Sequence, residues 1–221
     1  MRYARLYEVL QTIYEYYPRN VSYNERKKYE SLPQAERLRQ VRKMAIKDED
    51  TKENLSTLMK DIFSPQYALK DCVDLRNDVS YLYYVLLHKN QKPLDFDTDL
   101  AIALGGCFYY LQVVISYLAK YYFYFVSFSK HNAEAKESEN AWIFRDIFCD
   151  CEFEKVQNKL IDIPQVKMLD ERLEKMGFAF VPKEILTHRL EDIETQCSNF
   201  GQTLVYDCIF SNVLSIHRGN D

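Results

Sequence analysis

Two consecutive runs in the middle of the chain constrain its fold more than any other feature. Leu111, Val113, Ile115 and Tyr117 alternate with Gln112, Val114 and Ser116. That is a period of two, the mark of a strand whose successive side chains point to opposite faces. Ala119-Lys120 is short enough to turn the chain. Tyr121–Phe128 (YYFYFVSF) then carries the densest aromatic and β-branched stretch in the sequence. Together they predict a β-hairpin rather than one long helix through 100–128. Ser80–His88, rich in Tyr, Val and Leu, predicts a buried strand before it. Trp142-Ile143-Phe144, beyond a charged loop, predicts a third strand of the meander.

The flanks read as helix. Tyr3, Leu6, Tyr7, Leu10, Ile13, Tyr14 and Tyr17 recur at threes and fours until Pro18 stops them. Ser31 ahead of Pro33 starts a second helix with a thin stripe of Leu38, Val41 and Ala45. Asp50 with Glu53 predicts a capping-box entry to a third, over Leu55, Leu58, Met59 and Ile62, closed by Ser64-Pro65. A short helix over Leu100–Leu104 should end at Gly105-Gly106. In the last third, Pro164 breaks a helical run, and Gly177 is placed as the residue just past the end of the next helix. Thr203–Phe210 reads as a closing strand. The expected class is α+β: N-terminal helices (1–64), a central antiparallel β-meander (79–148), then C-terminal helices and that final strand (152–221). A single domain of 221 residues is long enough to bury a core without staples.

Composition narrows the function classes. Only five glycines leave little room for a phosphate-cradling loop, whereas eighteen tyrosines suit half-buried strands and contact surfaces. A net charge of −4 gives no global attraction to nucleic acid or to anionic membranes. Leu100–Ala119 approaches membrane-spanning length, but Gly105-Gly106 and Gln112 interrupt it. The first residues lack an apolar run and a cleavage site, which predicts a cytoplasmic protein with free thiols. Cys149-Asp150-Cys151 is a CxC without a second pair, and no metal or cofactor is expected.

No GxSxG or HExxH is present, and the four histidines have no partner at helical spacing. His188 stands near Glu191, Asp192 and Glu194, which reads best as a solvated, charged turn. Arg26, Lys27, Lys28, Arg37, Arg39, Arg42, Lys43 and Lys47 form a basic stretch. Glu30 and Glu36 salt it, so a solvated helix face is the preferred reading. Opposite charge collects at Asp95, Asp97 and Asp99 and again at Glu191, Asp192 and Glu194. Such acidic loops would steer a basic protein partner, with sheet tyrosines Tyr122 and Tyr124 as anchors.

Two resemblances bear on function. Arg76-Asn77, opening RNDVSYLY, is similar to the RNxxxH signature of the HEPN helical RNases, in which Arg and His act on phosphate and ribose; here Tyr81 stands where the His belongs. The segments YEYYPRNVSYNERKKYESLPQAERL, LDFDTDLAIALGG and LEDIETQCSNFGQTLVYDCIF resemble bacterial immunity proteins that neutralise polymorphic toxins. That resemblance implies a non-enzymatic cytoplasmic inhibitor that binds a toxin domain. The alternative is a divergent HEPN-like RNA-binding protein or RNase, or another small enzyme whose groups meet only in space.

Overall fold

The computed structural model describes residues 1–72, 79–91, 98–131, 142–146 and 154–210. Asp95, Asp97, Arg76, Asn77, Cys149 and Cys151 lie outside them. The class is α+β, with mostly antiparallel strands. The predicted hairpin forms from β3 (Cys107–Ser116) and β4 (Tyr121–His131), with Ile115 opposite Tyr122 and Val113 opposite Tyr124. β2 (Ser80–Leu86) lies antiparallel on the other edge of β3, and β5 (Trp142–Asp146) pairs with the far end of β4. Two short strands complete the sheet. β1 (Leu69–Asp71) borders β2, and β6 (Ala179–Phe180) runs parallel to the start of β4.

Helices cover both faces of this sheet. The first 64 residues supply α1 (Leu6–Tyr16), α2 (Arg26–Glu30), α3 (Pro33–Lys47) and α4 (Glu49–Phe63). Pro33 opens α3, where its missing N–H costs nothing. α4 begins two residues earlier than the Asp50 capping box predicts. Asp48 is its cap, accepting the Thr51 N–H at 3.0 Å. The short α5 (Thr98–Ala103) ends at Gly105-Gly106, both with positive φ. The C-terminal third contributes α6 (Glu154–Ile161), α7 (Pro164–Lys175) and α8 (Lys183–Leu186). Among the described residues no helix is long and apolar enough to cross a membrane.

Alternation along the strands divides the core in two. Leu82, Val114, Phe123 and Phe125 pack toward Val9 and Ile13 of α1. Tyr81, Tyr83, Val113, Ile115, Tyr122 and Tyr124 pack toward Leu55, Met59 and Phe63 of α4 and Leu169 and Leu173 of α7. Two buried faces explain why these strands read as nearly continuous apolar runs.

The closing strand is a correction. Only β8 (Thr203–Leu204) is extended, and it pairs with β7 (Arg189–Leu190) in a separate two-stranded sheet. The rest of the run coils into α9 (Val205–Ile209), every residue of which is buried. A helix buried all round has no polar stripe, so its sequence cannot be told from a buried strand by period.

α7 ends as its glycine predicts. Gly177 has φ +86°, its N–H donates to the Glu174 carbonyl at 2.8 Å, and the Phe178 N–H reaches back to Leu173 at 2.9 Å. This pair of bonds caps the last turn and requires the left-handed conformation. A Cβ at Gly177 would meet Lys120 Cδ only at 3.5 Å, an ordinary contact, so the backbone alone sets the penalty. Gly177→Ala is expected to cost about 1 kcal/mol, a fall in Tm of roughly 2–4 °C, with Gly177→Asn costing less. Thermal unfolding of the two variants checks this.

Candidate binding cleft at the hairpin end

The turn of the β3–β4 hairpin, Tyr117–Lys120, shares cleft walls with residues of α1, α3, α4 and the segment after α7. Its conformation is held locally. The Tyr117 N–H donates to the Val79 carbonyl at 3.2 Å, the Leu118 N–H to Ser116 Oγ at 3.2 Å, and the Tyr121 N–H to the Ala119 carbonyl at 2.8 Å. Two clefts open beside this turn, and Ala119 and Lys120 line both.

The first cleft, of about 370 Å³, is lined by four aromatic rings: Tyr16 from α1, Tyr81 from β2, Tyr117 from the turn, and Phe178. Val41 and Met44 of α3 add an aliphatic wall, and Asp48 and Thr51 stand at the start of α4. Its volume falls within the range of pockets that hold ligands. Met44 is 61% exposed, an apolar side chain spent on solvent at the cleft's edge. The walls are fixed by bonds that reach across elements. Arg42 Nε donates to Tyr117 Oη at 3.2 Å, and the Tyr81 and Tyr117 rings meet edge to face at 6.4 Å. Lys120 Nζ donates to the Met176 carbonyl at 2.9 Å and lies 5.9 Å from the centre of the Phe178 ring. The second cleft, of about 430 Å³, is polar, with Arg2, Glu8, Gln11, Thr12 and Glu15 on its walls.

Three titratable groups of the aromatic cleft have a shifted pKa, and none exchanges a proton near neutral pH: burial raises the Tyr16 phenol further above neutral. Hydrogen bonds from Thr51 hold the Asp48 carboxyl below its usual range, so it stays charged. Burial, aided by the nearby Asp48 and Glu49 carboxylates, pushes the Tyr81 phenol up to about 12. General acid–base work needs a group poised near the working pH, so these three suit recognition. Tyr81 also occupies the position where a HEPN-like reading needs its His, and it lies buried in β2.

The other residues singled out from sequence are placed elsewhere. Tyr122 and Tyr124 cannot anchor a partner, because they are only 1% and 8% exposed. They stand on the face of β4 that packs on α7, and both hydroxyls donate to the Asp170 carboxylate, at 2.9 and 3.3 Å. Burial holds the Asp170 carboxyl above its usual range, against the two hydroxyls, which pull it down. Glu191, Asp192 and Glu194 do not form an open acidic patch. Glu194 is buried, and Asp192 is ion-paired with Arg19 while its carbonyl accepts the Asn20 N–H at 2.7 Å. Glu191 and, on α5, Asp99 remain exposed. His188 is exposed too, and among the described residues no group of three or more His, Cys, Asp or Glu could hold a metal ion. The basic stretch is largely spoken for: Arg26 pairs with Glu30, Lys28 with Glu25 and Arg39 with Glu36.

Sequence reasoning missed the cleft because its lining comes from five separate stretches of the chain. The one local signal was Tyr117, next to the predicted turn, where a strand side chain leaves the shelter of the sheet. The chain matches no protein-family model, no curated protein and no solved structure, so the geometry of the cleft carries the functional reading.

Proposed function

We propose that the protein is a non-enzymatic binding protein of the immunity type, which captures a cognate protein toxin domain in the cytoplasm of a bacterial cell. The supporting observation is the aromatic cleft with Met44 at its edge. Tyrosine and methionine concentrate at protein interfaces, and pockets bounded by rings are where partners seat their anchor residues. Free thiols at Cys107, Cys197 and Cys208 suit a reducing compartment.

The tagged protein, expressed in its source cells, is expected to retain one protein partner in stoichiometric amount and to rescue growth when that partner is toxic. Met44→Asp places a desolvated charge at the cleft without touching the core. It should weaken the complex by about tenfold or more and leave the Tm within about 1 °C, since surface substitutions shift stability little. Recovery of the chain alone, or of RNA in place of a protein, removes the reading.

A further inference from the structure

We propose that His88 is an acid-released clasp: its neutral imidazole closes the outer end of the β2–β3 pairing, and its protonation opens that end. This device lies at the opposite end of β3 from the hairpin turn and does not depend on what the aromatic cleft binds.

The ground is a hydrogen bond whose direction admits one protonation state. β2 ends with Leu86 opposite Tyr110, and one step further the Leu87 N–H donates to the Tyr109 carbonyl at 2.8 Å. The Tyr109 N–H then donates to His88 Nε2 at 3.3 Å, where a continuing ladder would use a backbone carbonyl. A backbone N–H can only donate, so Nε2 must offer its lone pair and the ring proton sits on Nδ1. An imidazolium donates from both nitrogens and would set one N–H against another. The half-buried ring also packs edge-on against Phe108 at 6.3 Å and against the Tyr109 ring at 6.2 Å.

Little else holds this end closed. Its cluster contains two buried residues, Leu86 and Phe108, with Ala68, Leu100, Leu104 and Tyr110 packed around them. Small clusters with few apolar contacts open at low cost. The chain beyond β2 is tied elsewhere, because the Asn90 N–H donates to the Gln66 carbonyl at 2.8 Å. The start of β3, which follows Gly105-Gly106, is therefore the part released. The surrounding titratable groups give an imidazolium no counter-charge. Cys107 and Tyr109 of β3 are kept neutral by burial, Lys130 of β4 stands opposite Cys107, and Lys89 is exposed beside His88 in the chain. Burial alone lowers the His88 pKa. Its contribution to stability is thus fully present above the unfolded value of about 6.5 and is lost as pH falls through the folded one.

The test is an NMR titration of the whole chain from about pH 7.5 to about pH 5. The His88 ring should titrate below about 6.5, and the Tyr109 amide should share its midpoint. The protection factor of that amide should fall at least tenfold across the range, while that of Val113 in the middle of β3 stays constant. His88→Gln keeps an acceptor at similar reach but cannot ionise, so its Tyr109 amide should keep one protection factor at both ends of the titration. A Tyr109 amide that does not follow His88, a ring that titrates at or above about 6.5, or an equal acid loss of protection in His88→Gln overturns the proposal. The parent titration needs no variant, so it decides the matter even where glutamine fails to reach the amide.

Discussion

Phe210→Ala is expected to lower the free energy of unfolding by about 3–5 kcal/mol, the range for deleting a fully buried aromatic ring. Phe210 is 0% exposed. Its ring packs on Tyr206 at 5.8 Å, and Tyr206 in turn meets Phe125 of the sheet edge-on at 6.4 Å. The truncation therefore opens a void where α9 seats against the sheet. Two hydroxyl bonds fasten the same segment from a distance in sequence. Ser80 Oγ donates to the Phe210 carbonyl at 2.6 Å, and Tyr17 Oη to the Cys208 carbonyl at 3.0 Å. Because those carbonyls belong to the backbone, the substitution leaves both bonds available and the loss reports the ring alone. Phe200, at 40% exposed, is the internal control. Phe200→Ala should change stability by no more than about 0.5 kcal/mol. Urea denaturation of the two variants beside the parent decides it, and equal effects would place Phe210 outside the core.

The same segment shows where sequence patterns stop. The central hairpin was legible because its β-branched and aromatic density marks two strands even where both faces are buried, and the turn at Ala119-Lys120 sits between them. Gly177 was legible because only glycine takes φ +86° without penalty after a helix. Thr203–Phe210 was not, since a run buried on every side carries no period, and its helix is only five residues long. Tyr122 and Tyr124 misled for a related reason. An antiparallel sheet commonly leaves one face to solvent, whereas the unbroken apolar run of β4 belongs to a strand covered on both faces, the second by α4 and α7. The two-residue strands β6, β7 and β8 are too short for any pattern to register. Of the candidate cleft, Tyr81 was noticed only as a departure from a motif, and Asp48 was passed over as a cap in favour of Asp50. Sites assembled from distant segments are recognised by geometry rather than by sequence position.

Asp170 provides the second large effect, with a dependence on pH whose sign is fixed by its surroundings. Asp170→Ala leaves the Tyr122 and Tyr124 hydroxyls buried without their acceptor, at a cost of about 3 kcal/mol for the pair. Asp170→Asn is the informative partner, because its carboxamide oxygen can accept from one tyrosine while its amide donates to the other. Burial raises the carboxyl's folded pKa above its unfolded value, so the native state binds this proton more tightly than the unfolded chain does. The contribution of Asp170 to stability is then fully present below its unfolded pKa of about 3.9 and is lost as pH rises through the folded value. Asn does not ionise, so the stability of Asp170→Asn relative to the parent should climb from acid toward neutral pH and then level off. Urea midpoints measured across that range test the slope. A constant difference would mean that the two hydroxyl bonds to the carboxylate cancel its burial, and one that falls as pH rises that they outweigh it. In the second case Asp170 would be a net-stabilising charge joining α7 to β4 rather than a tolerated one.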